Sequence, residues 1–592
     1  MSRFQKTAAF ITTILAGVAF YLFFALKYPY HLHFQEQYQL FEWTWKYFAD
    51  VVWVPGGLSD WAGRCITQFF YYAPAGAALT ALMLCAVQLL TWAASARRTP
   101  VVYALSFLPA VLLLVFNCDE NALMGPVVGL ALSLGAAALC RRVSSQRGRR
   151  VLELVLVPIL YLACGPLCLV FVLVALCHEI AGGEGKPWLF ALGMLAVAAL
   201  CPILASRIFP YTLGRLVEGV HYYRFYNILP GMLYAAALAA VLVVFVSCLM
   251  VRRPLRSFVL ALVVFVAVVA GGVVLTLRAL DPVKEEWMRY DFMVRMQMWN
   301  RIMLAADRRN PDNPKTVSCL NLALAKTGRL PDSQFTYYQN GPDGLLPGYE
   351  GDYTNPVSTG EIFWHLGMVN TAQRYAFEAQ EAIPDFQKSA RLTRRLVETN
   401  LVNGDTTVAM KYLKVLQHTT FYRSWARETA ALLADGTLFD KRPELARARA
   451  LRLQEHDYLF SETEMDSMLG LLNVEHPDNT LALDYLLAWC LLRKDLNRFA
   501  ECISLVKTSP MPQAYQEALL LLWVFTHDDY EGLPAYIDPN NVQRMNRFMA
   551  DANAGKSEAV MKVSYGKTYW FYFLFRYVNR PEASSPEVPH HG

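Results

Sequence analysis

The stretch KYPYHLHFQEQYQLFEWTWKYFADVVWVPGGLSDWAGRCITQFFYY, residues 27–72, breaks an otherwise apolar N-terminal half directly after its first long hydrophobic run. It carries His31, His33, Glu36, Gln37, Glu42, Asp50, Asp60, Arg64 and Gln68, interleaved with Phe34, Tyr38, Phe41, Trp43, Trp45, Trp53 and Trp61. That mixture suits neither a plain connector nor a lipid-facing helix. Aromatic side chains anchor at the headgroup level, while carboxylates and imidazoles beside a membrane need water, a partner or a substrate, so the stretch reads as an interfacial loop between two membrane helices.

The flanks support this. Arg3 and Lys6 precede the run Ala8–Leu26, long enough to span roughly 30 Å of hydrocarbon. Lys27-Tyr28-Pro29-Tyr30 follows in place of a small-residue cleavage site, so the run reads as an uncleaved anchor. Eight more apolar runs follow: Ala73–Ala94, Val101–Phe116, Ala122–Cys140, Val151–Ala163, Pro166–Cys177, Trp188–Ile208, Met232–Met250 and Ser257–Leu277. Arg3/Lys6, Arg97/Arg98, the cluster from Arg141 to Arg150, Lys186, and Arg252/Arg253/Arg256 share one side if every run crosses. Basic residues near span ends stay in the cytoplasm, which predicts a cytoplasmic N-terminus and an extracytoplasmic chain after Leu280. Residues 151–177, broken at Gly165-Pro166, form either two short spans or a re-entrant hairpin. One continuous helix there would put Arg252, Arg253 and Arg256 outside. His178 and Glu179 read as cytoplasmic loop residues.

Charge separates the two halves: residues 1–280 hold 20 Lys+Arg against 10 Asp+Glu, and residues 281–592 hold 34 against 39. In the second half apolar residues recur at three- and four-residue spacing, as in Tyr290–Ala306, Thr316–Lys326, Thr359–Ala382, Ser389–Val402, Thr406–His418, Arg423–Leu433 and Leu481–Leu492, without strand-like alternation. Pro311-Asp312-Asn313 with Leu320 and Leu330 returns, 166 residues on, as Pro477-Asp478-Asn479 with Leu486 and Leu496. Pro384-Asp385 with Leu392 and Gly404-Asp405 is a looser third copy. A proline-led turn, an apolar helix, a break and a second helix resembles the tetratricopeptide-like hairpin, which buries its apolar face only by stacking. The fold class is therefore all-α: a polytopic helical membrane domain over 1–280, an α-helical repeat domain over 281–578 and a disordered tail over 579–592. Asn340–Ser358, rich in Gly, Pro and Asp, reads as a long loop inserted between repeats.

No zinc-spaced Cys/His cluster and no disulfide framework is apparent, and none of GxxxxGK[ST], GxGxxG, HExxH or GxSxG occurs, so nothing indicates nucleotide hydrolysis or nucleic-acid binding. The remaining chemistry is carboxylate: Glu36 ten residues past the first span, and Asp119-Glu120 between the third and fourth.

These positions resemble the polyprenyl-phosphate-dependent membrane glycosyltransferases of the multi-span type. In those enzymes an acidic residue in a long first external loop and an acidic pair after the third span frame a site at the outer membrane face. One branch of that group carries tetratricopeptide tails, and the whole chain also resembles an uncharacterised group of bacterial inner-membrane proteins. The first loop departs from the family in lacking an adjacent acidic pair near span one. The resemblance implies Glu36, Asp119 and Glu120 as catalytic carboxylates of an inverting transfer, converging within about 10–12 Å on one cavity, and Arg215, His221 and Arg224 as groups for the lipid phosphate. It admits a divalent cation and no other cofactor. The expected surroundings are the lipid bilayer of the cytoplasmic (inner) membrane, a polyprenyl-phosphate sugar, and a protein partner on the helical repeats. Alternatives stay open: Glu36 and Asp119 as helix caps, Arg224 as an interfacial anchor, and the chain as a non-enzymatic scaffold presenting its repeats or as a transporter.

Overall fold

A computed structural model describes residues 3–182, 187–251, 257–348, 354–385, 387–454, 461, 464–507 and 509–576. The tail 579–592, Lys186, Arg252, Arg253 and Arg256 lie outside the described residues. The chain is all-helical; among the described residues the one β pairing is an isolated bridge between Ala122 and Tyr223. It divides into two compact units, the first comprising Met1–Glu285, Ile383–Arg394 and Met410–Ala434, and the second Glu286–Ala382, Arg395–Ala409 and Asp435–Gly592.

In the first unit the apolar runs are helical. Six stretches are long and apolar enough to cross a membrane: Thr7–Lys27, Ala73–Ala94, Gln146–Gly182, Pro187–Ile208, Gly231–Leu249 and Phe258–Ala279; Pro100–Phe116 and Met124–Cys140 are shorter. Such lengths and hydropathy fit membrane insertion. The stretch Gln146–Gly182 is not one rod. Gly165, at φ +61°, turns Gln146–Cys164 back into Cys168–Gly182, and at the far ends Arg149 Nη2 lies 3.3 Å from Glu179 Oε2 while Arg150 also reaches that carboxylate. Glu179 is thus helical, buried and held by two guanidinia, contrary to its reading as a loop residue, because a carboxylate taken from water needs compensating charge.

Helices approach closely where side chains are smallest. A Cβ on Gly63 would come within 2.2 Å of the Gly125 backbone nitrogen, so Gly57–Thr67 lies almost directly on Met124–Cys140. Polar side chains tie other helices together: Thr13 Oγ1 donates to Gln88 Oε1 (3.1 Å), Gln88 Nε2 to Ser106 Oγ (2.8 Å), and Tyr103 lies 2.6 Å from Thr13. With little hydrophobic force between helices in lipid, such bonds and close backbone packing hold the bundle.

Residues 27–72 are largely structured. Pro29–Glu36, Trp45–Val52 (capped by Thr44 Oγ1 on Tyr47 N, 3.1 Å) and Gly57–Thr67 are helices. Later segments of the same unit lie against them. Leu40 N donates to Lys388 O and Trp43 N to His418 O, both at 2.8 Å, and the Tyr71 and Phe421 rings stack 5.0 Å apart. Part of the loop's aromatic and polar content therefore serves internal packing, while Trp45 and Trp53 remain exposed.

The second unit is built of helical hairpins. Pro314–Lys326 and Thr480–Leu492 each begin after a capping asparagine, Asn313 Oδ1 accepting from Lys315 N (2.9 Å) and Asn479 Oδ1 from Ala482 N (3.4 Å). Each is followed by a residue in the left-handed region, Gly328 at φ +68° and Lys494 at φ +59°, and by a second helix beginning at Leu330 or Leu496. All these positions are 166 residues apart. Leu320, Leu330, Leu486 and Leu496 are all buried. Two of the expected long helices are divided instead. Gln297, at φ +53°, separates Pro282–Arg295 from Trp299–Arg308, and Gly367, at φ +95°, separates Thr354–Leu366 from Val369–Glu381. The long loop is shorter than expected, since helix begins at Thr354; residues 349–353 lie outside the described residues. Asn321 Nδ2 anchors its first part by donating to Gly344 O (2.8 Å).

Candidate functional site

The Asp119-Glu120 turn follows Phe107–Phe116 and precedes Met124–Cys140. Asp119 Oδ1 accepts from the Asn121 backbone N (2.9 Å), closing an Asx turn, and its Oδ2 accepts from Tyr223 OH (2.6 Å). Glu120 Oε1 pairs with Lys284 Nζ at 2.6 Å. Burial pulls the Lys284 ammonium down, but the hydrogen bond and charge of Glu120 outweigh it and hold the pKa above the usual lysine value. The Ala122–Tyr223 bridge and the bond from Arg224 N to Asn121 O (3.2 Å) fix residues 223–224 along this turn.

A cavity of about 430 Å³ opens here, its lining including Asp119, Glu120, Asn121, Tyr223, Asp281 and Lys284 together with apolar Phe116, Leu229 and Met232. Its lining, which mixes charged and polar groups with apolar side chains, matches what an amphiphilic ligand needs.

The helix Pro29–Glu36 lies beside this turn. Gln35 Nε2 donates to Asp119 O (3.1 Å) and Ala122 O (3.3 Å), and Tyr38 OH donates to Glu120 O. Glu36 itself is buried at the helix end and does not line the cavity. Gln35, on the last turn of the helix, and Tyr38, just past its end, are the side chains that reach the Asp119 turn. The helix start is held by Glu285, which accepts from Tyr30 N (2.9 Å) and His31 N (3.1 Å). Burial pushes the Glu285 carboxyl up to about 8, against those two bonds, and pushes the fully buried His31 imidazole down to about 4.

The three groups expected to hold a phosphate are engaged differently. Arg215 Nη2 contacts both oxygens of Asp385, at 3.0 and 2.8 Å, and His221 Nδ1 lies 3.6 Å from the same carboxylate. Burial alone would raise the Asp385 carboxyl; hydrogen bonds from His221 and Arg215 outweigh it and keep it below the usual carboxylate range. Asp385 also sits at φ +56°, and Ala390–Asn403 starts instead from Ser389, whose Oγ accepts from Leu392 N. The third repeat copy differs from the other two in having no asparagine after its Pro384-Asp385, and its helix is capped by Ser389 instead. Arg224 stacks 4.6 Å over the Tyr38 ring and donates to Asn121 Oδ1 (3.3 Å). His221, Arg224 and Asp385 border a slit of about 20 Å³, separate from the larger cavity but sharing Tyr223 with it.

The structure thus brings Asp119 and Glu120 into one cavity, places Arg224 and His221 behind Tyr223, and leaves Glu36 and Arg215 off its wall. Lys284, the cation that reaches the acidic pair, was missed in the sequence because it lies just past the last apolar run, where the second half was taken to begin. Among the described residues no group of three or more His, Cys, Asp or Glu side chains could hold a metal ion. No curated protein and no solved structure matches the chain. One family profile does, across residues 3–576, and the chain belongs to that family, the family of unknown function DUF6057.

Proposed function

We propose that this chain is an integral membrane glycosyltransferase that moves a sugar from a polyprenyl-phosphate donor, with Asp119 as general base and Lys284 beside the leaving phosphate. The observation that supports this most is the 430 Å³ cavity, in which Asp119, Glu120 and Lys284 share a lining with apolar Phe116, Leu229 and Met232. The acceptor hydroxyl gives its proton to Asp119 Oδ2 as its oxygen bonds to the anomeric carbon. The bond from that carbon to the phosphate oxygen breaks with inversion, and the electron pair leaves on the polyprenyl phosphate, whose developing charge Lys284 balances. Tyr223, already bonded to Oδ2, orients the base until the acceptor replaces it. Glu36 acts indirectly, by packing the helix that carries Gln35 and leads into Tyr38. In this reading the cavity faces the outside of the cytoplasmic membrane.

The test is the lipid-linked sugar and glycan profile of cells carrying Asp119→Asn or Lys284→Met, beside cells with the unaltered chain. Loss of one sugar transfer at normal protein level is expected for both variants. An unchanged profile with full rescue of the deletion phenotype would refute the reading.

A second reading, a membrane scaffold whose tetratricopeptide-like hairpins bind a protein partner, is favoured by the matched geometry of Pro314–Lys326 and Thr480–Leu492. It expects Asp119→Asn to be silent and deletion of residues 435–592 to abolish function.

A further inference from the structure

At the other end of Met124–Cys140 from the Asp119 turn, about 25 Å away along a 17-residue helix, a second and larger cavity of about 730 Å³ opens. It is lined by Gln5, Ala93, Ala96, Arg97, Arg98, Thr99, Pro100, Ala138, Arg141 and Arg142. Four guanidinia and, among the described residues, no carboxylate face it. Two of the four are spent on the fold: Arg141 donates to the carbonyls of Ala93, Ala94, Ser95 and Ala96, and Arg98 donates to Ala93 O (2.8 Å) while lying 5.7 Å over the Trp92 ring. Arg141 in particular neutralises the carbonyl end of Ala73–Ala94, whose last groups have no partner within the helix. Arg97 and Arg142 are exposed, and among the described residues neither guanidinium has a hydrogen-bond or ion-pair partner.

The apolar surface next to these arginines narrows the ligand. On Ala73–Ala94 the exposed leucines Leu82 and Leu89 are seven residues apart, and Leu89 is one helical turn before Ala93 at the cavity rim. On Met124–Cys140 the exposed Leu132 and Leu139 repeat that spacing, with Leu139 three residues before Arg142. Residues three, four and seven apart share a helix face, so two leucine stripes run along the helices and end at the basic cavity. A ligand matching both parts has a phosphate ester at one end and hydrocarbon chains at the other.

We propose that this cavity binds the phosphate of an anionic phospholipid, such as phosphatidylglycerol, through Arg97 and Arg142, with the acyl chains along the two leucine stripes. Guanidinium forks suit phosphate oxygens, and a lining with no carboxylate among the described residues disfavours a head group that carries its own ammonium. The site is separate from the carboxylate cavity and does not depend on the transferase reading.

The experiment uses the full chain purified in a nonionic detergent, with native mass spectrometry counting bound phosphatidylglycerol, and compares wild type with Arg97→Gln/Arg142→Gln. A control of equal charge change, Arg207→Gln/Arg278→Gln, alters two exposed arginines outside the cavity. Occupancy should fall at least tenfold in the first variant and stay unchanged in the control, with an unaltered melting temperature in both. Phosphatidylcholine should not displace the bound lipid, and neither should millimolar inorganic phosphate. Equal occupancy in wild type and the Arg97/Arg142 variant, or equal loss in the control, would overturn the proposal. Displacement by inorganic phosphate would also overturn it, since the site would then be a free-phosphate site.

Discussion

His31 is 1% exposed, its ring 4.8 Å from that of Tyr28, and burial holds the imidazole at about 4 against an ordinary value of 6.5. In the unfolded chain it takes a proton below about 6.5, whereas the folded protein refuses it until about 4. Between those values the unfolded state binds the additional proton, so folding stability attributable to His31 is fully present above 6.5 and is lost as pH falls toward 4. A gap of about 2.5 pKa units corresponds to about 3 kcal/mol at 1.36 kcal/mol per unit. The neighbouring Glu285 works in the opposite direction: its folded value of about 8 lies above 4.5, so its contribution falls as pH rises between those limits. From 4.5 to 6.5 the two slopes cancel, and from 6.5 to 8 the Glu285 slope stands alone, a loss of about 2 kcal/mol. The assay is tryptophan-fluorescence melting of the detergent-solubilised chain from pH 4 to 8, for wild type, His31→Gln and Glu285→Gln. Relative to wild type, His31→Gln should gain about 3 kcal/mol on moving from pH 7 to pH 4, because the variant has no proton to refuse. Glu285→Gln should gain about 2 kcal/mol between pH 6.5 and 8. Parallel curves for wild type and His31→Gln throughout that range would refute the buried, neutral imidazole.

Gly63→Ala should sharply lower the yield of folded protein, since its Cβ would meet the Gly125 backbone at 2.2 Å, while Gly135→Ala, with only Leu90 at 3.9 Å, should be neutral or mildly stabilising in the same thermal-shift assay. Asn479→Ala should cost more than Asn313→Ala: both lose a helix cap worth about 1 kcal/mol, but Asn479 also donates to Leu366 O (2.9 Å) from a fully buried position. Chemical denaturation of the two single variants checks the order. Asp385→Asn should destabilise by about 1.5–3 kcal/mol, the range for a charge-assisted bond, by weakening the pair with Arg215 and His221. That loss should shrink below the ordinary carboxylate range, where wild-type Asp385 also becomes neutral, and a melting series down to pH 3 measures it.

Much of the helical plan was legible because hydrophobicity is a local property. The apolar runs became helices, the Gly165-Pro166 break became a fold-back, and the 166-residue offset recurred as matched caps, left-handed turns and second helices. Boundaries failed where one residue's backbone conformation overruled a continuous pattern. Gly367 gave a signal that was passed over, whereas Gln297 gave none, because a non-glycine residue at positive φ is set by its tertiary surroundings and not by its type. The site was less legible for a related reason. Sequence reading shows which groups can ionise but not which partner each one finds. The resemblance implies a phosphate for Arg215 and His221, yet their carboxylate comes from Asp385, about 170 residues away, and the cation that meets Glu120 is Lys284, 164 residues away.

Those long-range pairs bear on how carboxylates in this unit divide between structure and chemistry. Asp385 has both oxygens against one guanidinium and a histidine within reach, a charge-compensated arrangement, and the slit it borders is only about 20 Å³. Glu285 uses each oxygen on one backbone N–H at a helix start, the work of a cap. Asp119 differs from both. One oxygen closes its own turn, but the other meets, among the described residues, the hydroxyl of Tyr223, a donor that faces the same cavity and can be replaced by another hydroxyl without leaving a buried charge behind. Among these three carboxylates, Asp119 is therefore the one whose present partner has the same chemistry as an acceptor alcohol, and that exchangeability makes it the group to alter first.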